Sequence, residues 1–306
     1  MNALTLLQLT ALSALWGASF LFIRVASPLL GPAVMAGLRI GLATITLAIL
    51  MRALRQRWPW AHWRELLRLG ILSVALPFML YAWAALHIPA GYSALLNTTS
   101  VLFGSIAGAW MKVDLLTPRK LLGCLLGFMG VALVVRLGPV DLSPQVLLAA
   151  LACTAAAACY GVSTPLAKRA VTRIEPLAIA AGIHLWSLVL MAPATAWYWP
   201  QAQWSITVLA AVAVMGIITS ALAYWVHLRI MRRVSATAAM TPAFMIPLFG
   251  VAWGHLFLNE PVSSGMLAGA ALVLAATALV SEFNPFKNPD SSKPDSSKPD
   301  VAAAAP

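Results

Sequence analysis

The chain has 306 residues, of which 61% are hydrophobic and 9% charged, with a mean hydropathy of +0.86 and a formal net charge of +11. A soluble chain carries roughly 25% charged residues. Polar side chains are therefore too few to cover a water-soluble globule of this size, and lipid is the expected solvent.

Several apolar runs approach the roughly 20 residues needed to cross a hydrocarbon core of about 30 Å. They predict helical spans near 4–26, 33–51, 66–87, 90–111, 118–136, 146–167, 177–197, 206–228, 234–257 and 263–281. The fold class read from this pattern is an all-α membrane protein with ten transmembrane helices. Because the runs recur along the whole chain and no small-residue cleavage site stands out, the first reads as a retained span, not a cleaved signal. Cys124, Cys153 and Cys159 lie in apolar runs without paired spacing and read as small helix-packing residues.

The first span, ALSALWGASFLFIRVA over 11–26, has an echo at 155–170, AAAACYGVSTPLAKRA. At an offset of 144, Trp16 meets Tyr160, Gly17 meets Gly161, Ser19 meets Ser163 and Arg24 meets Lys168. At 146, Gly70 meets Gly216, Gly104 meets Gly250, Asp114 meets Glu260 and Gly123 meets Gly269. A nearly constant offset over more than a hundred residues predicts a tandem duplication, with repeats at 1–137 and 145–281 and a Pro/Ser/Asp/Lys-rich tail at 282–306. That tail cannot build a core and is expected to be disordered.

Placing the amino terminus in the cytoplasm puts seventeen of the twenty Lys and Arg residues in inner loops or the tail; only Arg24, Arg39 and Arg136 remain outside that set. This is the positive-inside pattern, so the net charge needs no nucleic-acid partner. Both termini are then cytoplasmic. With five spans per repeat, the second copy enters the membrane in the opposite sense, and inverted repeats are a signature of alternating-access carriers with a site near the midplane.

Candidate site residues follow in chain order. Trp16 and Ser19, with Tyr160 and Ser163, sit beside Gly17 and Gly161; Pro165 follows, a helix-kinking residue. They read either as tight helix packing or as the wall and hinge of a path. Arg39 is a charge well inside a span. At the bilayer centre an arginine costs on the order of 2.5–3.5 kcal/mol, so it either faces a cavity or partner or snorkels to the interface. His184 falls at the corresponding place in the second copy, and the two make a candidate pair for a carboxylate-bearing solute. Tyr81, Tyr224 and His227 lie in spans three and eight and face either lipid or solute. Asn97, within the polar run Asn97–Ser100, needs a protein or water partner. Pro242 and Pro247 interrupt span nine where a gate could open. Asp114 and Glu260 end spans four and nine, and Thr117 and Ser263 can cap the helices that follow.

The opening ALSALWGASFLFIRVA, the five-plus-five duplication and the acidic residue in WMKVDLLTPRK and LFLNEPVSSG together resemble the EamA-type ten-helix members of the drug/metabolite transporter superfamily. The likeness spans about residues 4–281. Two departures stand out: Asp114 occupies a position that is usually Glu in the family, and the first copy has Leu96 and Val101 where the second has Pro242 and Pro247. The resemblance implies a multi-pass protein of the bacterial inner membrane that exports or exchanges small metabolites, amino acids or related amphipathic solutes, or effluxes drugs, through a central cavity. It implies no cofactor, no metal and no nucleic acid; the partners are a small-molecule solute and the bilayer, with a monomer as the simplest assembly.

No acidic residue falls inside a predicted span, which closes the usual carboxylate relay for proton coupling. His184 and His227 remain as titratable candidates; otherwise the protein is a uniporter or exchanger. An intramembrane enzyme would need facing acid/base or metal groups, such as H-E-x-x-H on a helix, and the five histidines are scattered. A channel-like scaffold would not need inverted repeats.

Overall fold

A computed structural model describes residues 3–111, 117–137, 143–233 and 241–280. The tail, Asp114 and the start of predicted span nine lie outside the described residues.

The described chain is helical. Helix α1 (Ala3–Ala53) joins the first two predicted spans across a kink at Gly31, whose φ of 73° and ψ of 157° suit only glycine. Pro32 follows it and starts the second limb, where a missing N–H costs least. The carbonyl of Leu29, opened by the kink, accepts the backbone N–H of Gln203 at 2.8 Å. The range of α1 thus holds two helices that meet at Gly31, and the chain turns at that residue instead of through a loop across 27–32.

The third predicted span is α2 (Trp63–Gly70), a π-helical stretch (Ile71–Ala75) and α3 (Leu76–Ala84). Pro77 has no N–H to offer the Ser73 carbonyl, which favours local widening. The fourth is broken at Thr98 into α4 (Ala90–Asn97) and α5 (Thr99–Trp110). The hydroxyls of Thr98 and Thr99 donate to the carbonyls of Leu95 and Leu96. Helix α6 (Pro118–Leu137) completes the first repeat region.

The second region follows with α7 (Pro144–Ala170), which Ser143 caps by accepting the Val146 N–H at 3.3 Å, and α8 (Pro176–Tyr198). Next come α9 (Ile206–Ala213), a π-helical stretch (Val214–Leu222) and α10 (Ala223–Arg233). The last two are α11 (Thr241–Leu258) and α12 (Ser264–Val280). The Ser263 hydroxyl accepts the Met266 N–H at 3.1 Å and so caps α12, as its sequence position predicts.

Among the described residues, five helical stretches are long and apolar enough to cross a membrane: 7–53, 60–84, 144–170, 176–201 and 206–233. Large apolar side chains such as Ile49, Leu125, Met129, Leu151 and Phe257 are exposed. On a soluble protein such a surface would aggregate; here it is the lipid face. Trp58 stacks on Trp60, and Trp63 tilts against Trp186 beside the arginine-rich loop at 52–57, an interfacial belt.

Packing between the regions repeats at the sequence offset. A Cβ on Gly17 would lie 2.6 Å from the Phe249 Cβ and 3.1 Å from the Ile246 carbonyl; one on Gly161 would lie 2.7 Å from the Phe103 Cβ and 2.7 Å from the Ser100 carbonyl. Those neighbours are themselves 146 residues apart. Likewise a Cβ on Gly70 would meet the Ile183 carbonyl at 2.8 Å, and one on Gly216 the Arg39 carbonyl at 3.0 Å. Arg24 donates to the carbonyl of Ala85, and Lys168 to that of Met231 at 2.6 Å. Each repeat region thus packs its first helix against the fourth-span helix of the other, α1 on α11 and α7 on α5, while α6 lies on α12.

Candidate functional site

Between these crossed helices lies a cavity of about 210 Å³. It brings together nine of the residues singled out as binding candidates: Trp16, Ser19, Arg39, Tyr81, Asn97, Tyr160, Ser163, Tyr224 and His227. Of the candidate hinges, Pro242 lines it, Gly17 and Gly161 stand behind it at the helix crossings, and Pro165 and Pro247 are buried within α7 and α11. A second depression, larger at about 470 Å³ but more open, is lined by Ala61–Glu65 and Arg68 at the start of α2, and shares no residue with this cluster.

The wall is largely aromatic. Tyr81 stacks on Tyr160 with centroids 6.2 Å apart and meets Phe20 edge-on at 5.2 Å. Its hydroxyl donates to Asn97 Oδ1 at 2.8 Å, which gives that amide oxygen the partner it needs in a dry interior. Trp16 packs edge-on against His227 at 5.0 Å. The buried Nδ1 of His227 has no hydrogen-bond partner among the described residues.

Arg39 is only 5% exposed. Its guanidinium lies 3.8 Å from the centroid of the Phe78 ring, a cation–π contact. Nε donates to Ser220 Oγ at 2.7 Å and one Nη2 hydrogen points to Thr219 Oγ1 at 3.5 Å. Arginine carries five N–H donors, so most of the fork has no acceptor among the described residues. Among the described residues no carboxylate pairs with it; the ion pairs found are His62–Glu65, Arg173–Glu65 and Arg232–Glu175, all surface-exposed to some degree. Among the described residues, the cavity therefore holds a cation without a counter-charge.

His184 is placed otherwise. It is fully buried, its Nδ1 lies 2.8 Å from the Ala180 carbonyl, and its ring stands edge-on behind Tyr224 at 5.6 Å. It does not line the cavity and does not pair with Arg39 across it.

Thr219 and Ser220, the partners of Arg39, were not among the sequence candidates, nor were Ser73, Phe78, Ser100 and Thr164, which also line the cavity except for Ser220. Thr219 and Ser73 stand 146 residues apart, so the repeat offset was a signal that could have paired them.

The cavity is not evenly placed. It reaches Met231 and Pro242 at one end, whereas their counterparts at the repeat offset, Ala85 and Leu96, do not line it. At that other end the Glu260 carboxylate accepts the N–H groups of Ala90 at 2.8 Å and Gly91 at 3.2 Å, tying the end of α11 to the start of α4.

Comparison with known proteins places the chain among transporters. The model of the EamA-like transporter family matches residues 3–136 and again 147–282. An uncharacterized transporter of Bacillus subtilis, YvbV, is 24% identical over 90% of this chain and 91% of its own length. An uncharacterized transporter of Archaeoglobus fulgidus is 22% identical over 87% and 94%. A probable terminal-alkyne amino-acid exporter of Streptantibioticus cattleyicolor is 24% identical over 87% and 89%. One crystal structure superposes with a TM-score of 0.67 at 18% identity, over 91% of this chain and 96% of that one, a likeness of fold.

Proposed function

The chain belongs to the EamA-like transporter family, and from that membership and the cavity we propose that it is a secondary carrier that exports or exchanges small amphipathic solutes bearing a carboxylate, amino acids and their relatives among them. It is a multi-pass membrane protein; the proposed setting is the bacterial inner membrane, with both termini cytoplasmic and ten spans arranged as two inverted five-helix repeats.

The observation that carries the reading is Arg39, an unpaired cation in a cavity walled by Trp16, Phe20, Phe78, Tyr81, Tyr160 and Tyr224. A buried charge without a partner is costly, and a solute carboxylate recovers that cost while its apolar part meets the rings. The relative that is probably an exporter of a terminal-alkyne amino acid supports the same class of solute. The offset of the cavity toward Met231 and Pro242, with Glu260 tying the opposite end, supports a state open toward the cytoplasm in the proposed topology. The duplicated contacts supply what alternating access requires, since exchanging the two arrangements opens the other end.

The test has two stages. Purified protein is screened by thermal shift against amino acids, nucleosides and amphipathic drugs; a ligand at a hundred times its Kd stabilises by about 2.7 kcal/mol. Each stabilising compound then goes to counterflow in proteoliposomes. Saturable exchange of a carboxylate-bearing compound is expected. Binding with no exchange for any compound would sink the carrier reading, and exchange confined to cations would sink the choice of solute.

A further inference from the structure

Two features of the cavity wall have the same cause. In an α-helix the N–H of Ala223 would bond to the Thr219 carbonyl; at the end of the π-helical stretch it bonds instead to Ile218, five residues back. The Thr219 carbonyl is thereby released, and it accepts the Trp16 indole N–H at 3.0 Å. The Thr219 hydroxyl is equally committed. It donates to the Met215 carbonyl at 3.0 Å and accepts from Ser19 at 3.0 Å and from Arg39 at 3.5 Å, which uses all three positions a hydroxyl offers. Ser220, next along, takes the Arg39 Nε. Both are almost fully buried.

We infer that Thr219 and Ser220 are the positioning residues of an anion subsite: the widened turn presents their hydroxyls to one edge of the Arg39 guanidinium, Phe78 supports its face, and the remaining edge is left to bind a carboxylate from the cavity. This rests on the carrier reading and assigns the choice between acid and neutral solutes to two hydroxyls that need not touch the solute. Without them the guanidinium loses two acceptors and is free to turn away on its flexible stem. Only one such subsite exists among the described residues: Ser73, the first copy's counterpart of Thr219, makes the equivalent bond back to the Leu69 carbonyl, but Val74 stands in place of Ser220 and His184 in place of a second arginine.

The probes are 3-phenylpropionate and 3-phenylpropionamide, alike in shape and differing in charge, titrated into full-length protein in lipid nanodiscs. Wild type is expected to prefer the acid by about tenfold or more, the equivalent of about 1.4 kcal/mol. In Ser220→Ala, at a position behind the lining, the preference should shrink severalfold while amide affinity holds. In Thr219→Val acid affinity should fall severalfold more than amide affinity, and in the double variant the preference should fall to about twofold or less. Thr219→Ser, which keeps the hydroxyl, should restore it. Retained amide binding reports that each variant is folded. An undiminished acid preference in the double variant overturns the inference, as does an equal loss for both probes, the mark of a purely structural role. A wild type that does not prefer the acid overturns it too, and with it the carboxylate class, while counterflow continues to test the carrier itself.

Discussion

The two repeat regions agree where they pack and differ where they are polar. Gly17 and Gly161 admit equivalent neighbours at nearly equal distances, and Arg24 and Lys168 bind equivalent carbonyls. Yet Arg39 projects into the cavity while His184, its counterpart, hides behind Tyr224; Ser73 and Thr219 both bond back to the preceding turn, and Thr219 in addition takes Trp16 on its carbonyl and Ser19 and Arg39 on its hydroxyl. The helix-crossing contacts are kept in duplicate, as the proposed carrier cycle requires. Ser19 and Ser163 line the cavity from both copies, but Arg39 and its partner Ser220 occur once, so under the proposed reading the choice of solute rests on the departures from symmetry.

The hardest way to break the shared part is to fill the helix crossings. Gly17→Ala would set a Cβ 2.6 Å from the Phe249 Cβ and 3.0 Å from the Gly250 nitrogen; Gly161→Ala would set one 2.6 Å from the Gly104 nitrogen. Backbone atoms cannot step aside as a side-chain end can. Each substitution should cost on the order of 3 kcal/mol, read as a lowered Tm and a loss of monodisperse protein. Equal falls support equivalent roles for the two crossings. A silent variant on one side would show that the duplication there is only of sequence.

Much of this shared frame was legible in the sequence, because apolar run length and the glycine echo are properties of one dimension. The kink was half legible: Pro32 marked its place, but the dihedral angles that demand glycine belong to Gly31. Side-chain direction was not legible. His184 and His227 both sit in apolar helices, and only the rotation of each helix sends one into the core and the other to the cavity. Beyond the repeat offset, Thr219 and Ser220 do not stand out in the sequence, because buried hydroxyls in helices usually bond to the preceding turn, as Ser13, Thr44 and Thr46 do here and as Thr219 also does. The widened turn that frees the Thr219 carbonyl for Trp16 is seen only in the structure. Glu260 was placed correctly at a span end, but its bond to another helix's first turn needs the fold.

Arg39 and His184 sharpen the comparison at the next level. Arg39→Gln removes a buried charge that has no ion-pair partner, so Tm should hold or rise, while uptake of carboxylate solutes falls about tenfold or more relative to neutral ones. His184→Gln should do the reverse: about 1–3 kcal/mol of stability lost through the Ala180 bond and the Tyr224 packing, with solute preference unchanged. A shift in preference from the histidine variant would place it functionally beside Arg39 and erase the asymmetry. The double variant His184→Ala/His227→Ala should retain counterflow per folded molecule, because exchange needs no titrating group; total loss with the fold intact would make a histidine the proton coupler.

The smallest effect should come from the tie at the closed end. Glu260 accepts two backbone N–H groups from the first turn of α4, a place where negative charge is favoured by about 0.3–1 kcal/mol. Glu260→Gln keeps one acceptor oxygen, loses the charge and turns an amide N–H₂ toward a backbone donor. The first turn of α4 should then open more often, and hydrogen exchange at Ala90–Tyr92 in lipid nanodiscs should quicken by up to about fivefold, the ratio that 1 kcal/mol carries. The same amides should slow when a stabilising solute from the thermal-shift screen holds the cavity in its present arrangement. Exchange that is unchanged in the variant would mean that helix crossings alone close this end. Exchange that quickens in the variant and no longer responds to solute would tie Glu260 to the switch between the two arrangements, and so extend the asymmetry of the two halves from the solute to the gate.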